Sequence, residues 1–270
     1  MTTKTEALYN TLLPLRVVTF NEIVEKASDL ITTQSRRYIY RKYVDRLVKE
    51  GKLRRVRKSL YHVLSPLEQP EKSVVDKILI ASKVRKEYYL GFHTALEFYG
   101  CANSLHNEAY VAVIPKNRFN PFHYSHLTFK PVFVEDVTYE VEEKQYQDYT
   151  VKVSSKERTF IDCIDRVQYA GGWEECIKSL QNLGGLNPEK LLNLLEWCGK
   201  DAVYRRVGYT LELLRKQSQF YEQIDDFLLG RIEQKVTGPP RYLTHKGKTT
   251  LNKKWKLYIP DDFEEKLRGI

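Results

Sequence analysis

The sequence is poor in sulfur and contains no long apolar run. Its 270 residues include one methionine and four cysteines, and no stretch approaches the roughly twenty apolar residues that a membrane-spanning helix needs. The cysteines are widely spaced with no Cys-x-x-Cys pair, so we expect reduced thiols rather than a disulfide framework. Because we also find no basic-then-apolar leader at the N-terminus, we expect a cytoplasmic protein that makes no membrane contact.

Sequence signatures of catalysis are also missing. There is no Gly-x-x-x-x-Gly-Lys-Ser/Thr phosphate loop, no Gly-x-Ser-x-Gly elbow and no His-Glu-x-x-His pair. His123 and His126 lack a third ligand nearby, which favours a surface pair over a zinc site. We therefore expect a binding protein without cofactor or metal, and not an enzyme.

One enzyme-class alternative stays open. Asp162 and Asp165 lie on one face of a predicted helix at i and i+3, and with Glu157 they could hold Mg²⁺ for phosphodiester cleavage. No Lys-bearing strand nearby completes a nuclease pattern, so a solvated helix surface is the stronger interpretation. The alternative function is a metal-dependent nuclease guided by a DNA-binding domain.

Positive charge is concentrated at one end of the chain. Residues 1–65 hold fourteen Lys and Arg against six acids, a net +8 of the total +9, while the rest holds thirty against twenty-nine. Such asymmetry predicts a small polyanion-binding module attached to a larger body with another task. A polar segment at 65–70, twice interrupted by proline, marks the boundary. We therefore divide the chain into domains over 1–65 and 66–270.

The basic domain has the element order of a winged helix-turn-helix. The apolar pattern over 1–64 predicts three short helices followed by two short strands. Thr19 and Glu22 have the spacing of a capping box at the start of the second helix. The third helix should begin near Gln34 and end at Gly51, a left-handed cap signal.

The third helix has the two faces of a DNA-recognition helix. At roughly 100° per residue, its apolar face consists of Tyr40, Tyr43, Val44 and Leu47. We expect the opposite, cationic face to contact the major groove through Gln34, Ser35, Arg37, Tyr38, Arg41, Lys42 and Lys49. The two strands, at 53–56 and 60–63, would form a wing with a basic tip suited to phosphates or the minor groove. Its expected DNA contacts are Arg55, Arg57 and Lys58.

The larger domain is predicted to be mixed, which makes the expected fold class α+β, a winged helix followed by a larger domain with a small β-sheet among helices. Ser73 would cap its first helix and a second would run over 93–99. Helices return after the sheet, one of them starting at Asn187 and Pro188. The predicted strands lie at 109–114, 127–134, 138–141, 149–153 and 255–259.

Three segments of the larger domain carry motifs in a fixed order. They are YLGFHTALEFYG at 89–100, VSSKERTFID at 153–162 and RRVGYTLE at 205–212. In residues and in order they resemble the AbiEi-type antitoxins, transcriptional regulators found with nucleotidyltransferase toxins in type IV toxin-antitoxin systems. His93 stands where that family has a serine, and residues 215–252 are the least matched.

The resemblance implies a regulator with two activities. The N-terminal domain would repress its own promoter by binding inverted repeats in double-stranded DNA, where a dimer would match the repeats. The C-terminal domain would counteract a nucleotidyltransferase-type toxin, a functional partner with which the family forms no established stable complex. The matched motif residues are Glu157, Arg158, Thr159, Asp162, Arg205, Arg206, Gly208 and Glu212.

The second motif also has a purely structural interpretation. Ser154 and Glu157 have the spacing of a capping box. Arg158 can pair with Asp162 one turn later on the same helix face. These residues would then build the junction between a strand and a helix.

The arginine pair of the third motif needs partners. Arg205 and Arg206 fall in the first turns of a predicted helix, where the helix dipole disfavours cations. We therefore expect a carboxylate such as Glu212 beside them. Contact with a toxin or a nucleic acid is the other interpretation.

Overall fold

The computed structural model describes residues 3–30, 35–68, 73, 75–244 and 247–268. These segments form a mixed α/β fold with helices and several sheets, which confirms the predicted mixture of element types. Across these segments, no helix has both the length and the apolar character needed to cross a membrane.

The basic N-terminal part folds around a small three-stranded sheet. Its elements are α1 (Lys4–Leu12), β1 (Val17–Thr19), α2 (Phe20–Ser28), α3 (Arg36–Ile39), α4 (Asp45–Lys49), β2 (Leu53–Arg57) and β3 (Leu60–Val63). The strands pair antiparallel in the order β1-β3-β2. Helices and strands share one core, which includes Leu8, Ile23, Leu47 and Val63.

The predicted capping box at α2 is confirmed. Thr19 Oγ1 accepts from the amide of Glu22 at 3.2 Å, and the Glu22 carboxylate accepts from the amide of Thr19 at 2.7 Å. Glu22 also pairs with Lys83 in the second part of the chain. Glu22 therefore stabilises the start of α2 and also forms an ion pair between the two parts of the chain.

α3 and α4 belong to one continuous helix, joined by a π-turn over Tyr40–Val44. At this turn Asp45 donates its amide hydrogen to the carbonyl of Tyr40, five residues back. The wider turn shifts the helix phase, so Ile39 is buried and Tyr40 is 37% exposed. The prediction that Tyr40 is a core residue was wrong because it assumed an unbroken α-helical period. The other predicted core positions are buried, at Tyr43, Val44 and Leu47.

A six-stranded mixed sheet forms the centre of the second part. Its elements are α5 (Lys77–Ser82), β4 (Tyr89–Leu90), α6 (Phe92–Phe98), β5 (Glu108–Val113), β6 (Phe122–Tyr124), β7 (Leu127–Phe133), β8 (Val141–Tyr146) and β9 (Tyr149–Ser154). The strand order is β6-β7-β5-β4-β9-β8, with β5–β7 and β4–β9 parallel. This order brings α6 beside the end of β9, where the second motif begins.

Several element boundaries differ from the predictions. The strand predicted at 138–141 begins only at Val141, as β8, because the Asp136 carboxylate accepts two backbone hydrogen bonds and forms a turn before it. The last strand, predicted at 255–259, is β12 at Leu257–Pro260. The helix expected to start at Ser73 starts later, because Asp76 caps it by accepting from the amide of Ile78 at 2.7 Å.

Helices and a third small sheet complete the fold. The elements are α7 (Lys156–Asp165), α8 (Trp173–Leu180), α9 (Pro188–Cys198), α10 (Asp201–Arg215), α11 (Asp226–Gln234), β10 (Arg241–Tyr242), β11 (Thr249–Asn252), β12 (Leu257–Pro260) and α12 (Phe263–Arg268). Asn187 caps α9 with Pro188 in the first turn, as predicted. The third sheet has the order β10-β12-β11.

The two parts of the chain contact each other directly. Val17, Val56 and Leu60 of the N-terminal sheet belong to the same apolar core as the six-stranded sheet. His62 Nδ1 lies 3.0 Å from the hydroxyl of Tyr124 on β6. The β2–β3 hairpin is therefore held against the second part along one side.

Candidate nucleic-acid interface

The predicted DNA face of α3 and α4 is exposed where the structure describes it. Ser35, Arg37, Tyr38, Arg41, Lys42 and Lys49 are all exposed, and Gln34 lies outside the described residues. Ser35 caps α3, its side chain accepting from the amide of Tyr38 at 3.4 Å. The helix therefore begins directly after Ser35, at one end of the predicted DNA-contacting face.

The cations on this face differ in their internal partners. Within the described segments, the side chains of Arg37 and Arg41 have neither a hydrogen bond nor an ion pair. Lys42 Nζ donates to the Tyr38 hydroxyl at 2.6 Å and lies 5.1 Å from the centre of that ring. This hydrogen bond raises the pKa of Lys42. Lys49 pairs with Asp45 at 2.7 Å, so its charge is partly compensated.

The basic side chains of the β2–β3 hairpin face either solvent or the second part of the chain. Arg55 and Lys58 are exposed, and the tip turns through Ser59 at a φ of +63°. Arg57 is half-buried, with its guanidinium 4.7 Å from the centre of the Phe122 ring. Burial, and then the nearby charge of Arg85, lower the pKa of Arg57. Arg57 therefore holds the β2–β3 hairpin against the second part of the chain. It also lies at the edge of the basic surface.

A cleft of about 650 Å³ runs between α2, the turn that joins β2 to β3, and residues 82–86. Among its lining cations, Lys83 is paired with Glu22, and Arg85 donates to the carbonyls of Asn117 and Arg118, both at 2.8 Å. Lys58 and Lys86, on opposite parts of the chain, line the same cleft and are exposed. The basic surface of the β2–β3 hairpin therefore continues onto the second part of the chain.

Arg158, from the second motif, is buried at the centre of the second part. Its guanidinium lies 4.3 Å from the centre of the Tyr89 ring and donates to the carbonyl of Asp136 at 2.7 Å and to that of Tyr139. Its Nε lies 3.6 Å from Asp162, the i,i+4 pair expected from the sequence. These contacts tie α7 to the turn before β8.

The carboxylates of the nuclease alternative have separate partners. Asp162 accepts from the Tyr89 hydroxyl at 2.7 Å, and burial raises the pKa of Asp162. Asp165 lies 3.3 Å from Lys200, and Glu157 accepts from the amide of Asn187 at 2.7 Å. Asp162 and Asp165 line a cavity of about 150 Å³ that does not include Glu157. The predicted Mg²⁺ trio is therefore not assembled.

The cap of α7 is also not the predicted one. Ser155, rather than Ser154, accepts from the amide of Arg158 at 3.2 Å. Ser154 instead shares a hydrogen bond of 2.7 Å with Thr159. Glu157 is free to reach Asn187 because its carboxylate is not used by the cap.

The third motif is built into α10. Arg205 is fully buried and pairs with Asp201, one turn earlier, at 2.7 Å, rather than with Glu212. It also donates to the carbonyls of Thr237 and Lys256. Arg206 is half-buried and donates to the carbonyl of Asp165 at 3.3 Å. The Arg205 side chain therefore joins α10 to the segments that precede β10 and β12.

Gly208 and Glu212 hold Trp255 against α10. A β-carbon at Gly208 would overlap the six-membered ring of Trp255, which is fully buried. Glu212 accepts from the Trp255 indole nitrogen at 2.7 Å and from Lys254 at 2.9 Å. The glycine of the motif is thus explained by a close approach of an aromatic ring.

One cluster of possible metal-ligating side chains was not predicted from the sequence. His93, His106 and Glu175 come together with ligand atoms within 4.8 Å of one another, the one such group in the described residues. Burial alone would raise the pKa of Glu175, but hydrogen bonds from Asn103, His93 and Ser104 lower it to about 2. His93, as a departure from the sequence pattern that this segment otherwise resembles, was the one sequence signal for this cluster.

Comparisons with known proteins bear on the fold. No protein-family model and no curated protein match the chain. Among solved structures, the chain is similar to the Rv2827c protein of Mycobacterium tuberculosis, with a TM-score of 0.64 and 14% identity. The match covers 93% of this chain and 89% of that one. At this identity the likeness concerns the fold, and it extends over both parts of the chain.

Proposed function

We propose that the N-terminal part is a winged helix-turn-helix that binds double-stranded DNA, and that the chain is an autorepressor and antitoxin of the AbiEi type. The observation that carries DNA binding is the exposure of Arg37 and Arg41, one turn apart, without internal partners in the described segments. Such guanidinium groups are available to phosphates and to guanine edges. Lys42 and Lys58 add positive charge beside them.

The order of elements supports this assignment. α1, β1, α2, the α3–α4 helix and the β2–β3 hairpin follow one another as in winged-helix proteins. In that arrangement the N-terminal end of α3 enters the major groove and the hairpin lies along the phosphate backbone. Two copies of the chain would occupy the two halves of an inverted repeat.

The antitoxin half of the proposal rests on the motif resemblance. Arg158, Arg205 and Gly208 hold α7 and α10 in place, so sharing these residues with the family supports sharing its fold. Because they are enclosed by their own chain, neutralisation would depend on other, exposed residues or on repression of the toxin gene. The functional partner is a nucleotidyltransferase-type toxin.

The nuclease alternative has less support. A two-metal or one-metal phosphodiesterase needs carboxylates that converge on one ion. Glu157, Asp162 and Asp165 are each engaged by a different internal partner. If the purified chain cleaved DNA only in the presence of a divalent metal ion, that result would support the nuclease alternative.

The first experiment is a gel shift of the chain on its own upstream region, with unrelated DNA as competitor and salt varied. We expect specific retention whose affinity falls steeply with salt, because each phosphate contact adds about 0.9 to the slope of log affinity against log salt. Retention abolished equally by unrelated DNA would contradict an operator-specific repressor.

A double variant assigns the interface. Arg41→Ala with Lys42→Ala should weaken operator binding and flatten the salt slope by about 1–2 units. Lys216→Ala with Lys253→Ala removes the same charge from exposed positions in the second part and should leave the slope unchanged. Equal slopes in both variants would rule out the α3–α4 face.

The antitoxin activity is tested by co-expression. The chain should restore growth to cells that express the nucleotidyltransferase-type toxin from an unrelated promoter. Keeping the toxin off its own promoter separates neutralisation from repression. If the chain binds its operator but does not restore growth, it acts as a repressor without antitoxin activity.

A further inference from the structure

His93, His106 and Glu175 form a cluster that DNA binding does not use. His93 lies in the first turn of α6, His106 in the segment before β5, and Glu175 in the first turn of α8. Gly171, at a φ of +82°, precedes α8, and a β-carbon there would collide with Glu175 and touch the His106 ring. The glycine thus permits the close approach that brings α8 to the histidines.

The spacing of the three side chains suits a metal ion. His93 Nε2 lies 3.1 Å from Glu175 Oε1, and the two imidazole rings stack with their centres 3.7 Å apart. Zinc–ligand bonds of about 2.0–2.2 Å place neighbouring ligand atoms roughly 3.5 Å apart. Since parallel rings cannot both point at one ion, His106 must turn out of the stack. His106 is half-buried, so one side of its ring is open to solvent for that rotation.

A second layer of residues orients the cluster. His93 Nδ1 lies 3.1 Å from Glu97 Oε1, without the geometry of a hydrogen bond, and Glu97 is itself held by Lys77 and by the amide of His106 at 2.9 Å. A carboxylate behind a histidine is the usual support of a zinc-bound imidazole. Glu175 is oriented in turn, because its carboxylate accepts from Asn103 and Ser104, both at 2.9 Å.

We propose that His93, His106 and Glu175 bind a divalent transition-metal ion, with zinc the best match to two imidazoles and one carboxylate. The fourth position is open to water or to a ligand, and the half-exposed His106 lies at the entrance. Bound there, the ion joins α6, the segment before β5 and α8. The site does not depend on the proposed function, and the AbiEi resemblance does not imply it because that family has a serine at position 93.

The test is metal titration of the tag-free, full-length chain after treatment with a chelator. Calorimetry with Zn²⁺ should give one ion per chain, and Co²⁺ should give the intense visible absorption of a four-coordinate site. His106→Ala should weaken Zn²⁺ binding at least tenfold, and Glu97→Gln by roughly 10–100-fold through loss of the supporting carboxylate. His126→Ala, an exposed histidine outside the cluster, should bind as the wild type does.

A stability measurement gives an independent reading. Zn²⁺ should raise the melting temperature of the wild type, because an ion that binds only the folded chain stabilises it. At the same Zn²⁺ concentration it should raise that of His106→Ala by less, and the half-buried position of His106 makes misfolding of the variant a small risk. The proposal is overturned if the wild type binds no Zn²⁺ in tenfold excess, or if His106→Ala binds it with wild-type affinity.

Discussion

Buried arginines in this protein are held by main-chain carbonyls as well as carboxylates. Arg158 and Arg205 each donate to two carbonyls and lie beside one aspartate or more. An unpaired guanidinium in the same place would cost several kcal/mol, so these acceptors are required for burial. An arginine in a sequence motif can therefore hold distant segments of the chain together instead of forming part of a binding surface.

Gly208 permits a second close approach, and a substitution tests it. Gly208→Ala should lower the free energy of unfolding by about 1–3 kcal/mol, since its β-carbon would overlap the Trp255 ring. Chemical denaturation measures the change.

Gly230 provides the matched control, because a β-carbon there meets no atom within 4 Å. Gly230→Ala in α11 should be neutral or stabilise by up to about 1 kcal/mol, from helix propensity alone. Equal effects of the two substitutions would mean that Trp255 does not need the space at Gly208.

At the scale of elements, local signals predicted two helix caps but not the break in helix phase after Ile39. The caps at Thr19 and Asn187 involve neighbours in sequence, so their residue types were enough to predict them. The π-turn in the helix from Arg36 to Lys49 has no such local signature. It moves Ile39 into the core and Tyr40 out of it.

Two substitutions test this phase. Ile39→Ala should destabilise the chain by about 2–5 kcal/mol, as for other fully buried isoleucines. Tyr40→Ala should cost about 1 kcal/mol, because its ring contacts Phe20 but is 37% exposed. Unfolding in denaturant measures both. A larger loss for Tyr40 would restore the unbroken α-helical phase and contradict the π-turn.

For the whole molecule, the contact between the two parts contains a titratable group. His62 on β3 is fully buried, with Nδ1 facing Tyr124 and no partner for Nε2 in the described segments. Burial, and then the positive charge of Arg16, lower the pKa of His62 from 6.5 to about 4. Protonation of this imidazole therefore opposes the folded contact.

The expected pH dependence follows from that lowered pKa. Between pH 6.5 and 4 the unfolded chain binds a proton at His62 that the folded chain does not, so stability is full above pH 6.5 and falls on acidification. The loss should reach roughly 1–3 kcal/mol. Denaturation at a series of pH values should show a shallower decline for His62→Gln.

His123→Gln is the control for this experiment, since that histidine is exposed. It should keep the wild-type pH dependence. The same decline in His62→Gln as in the wild type would assign the acid sensitivity to other groups.

The sequence by itself determined the charge asymmetry, the mixture of helices and strands, and the helix caps at Thr19 and Asn187. Each depends on composition or on residues a few positions apart, where short-range sterics and hydrogen bonding suffice. The chain order of helices and strands also led to the DNA-binding hypothesis before any contact was known.

Only the tertiary structure decided which side chains meet across the chain. Packing placed Arg57 against Phe122 instead of leaving it at the wing tip, and it separated Glu157 from Asp162. It also assembled the His93, His106 and Glu175 cluster. These outcomes depend on how distant segments pack, and side-chain spacing along the sequence carries no information about that packing.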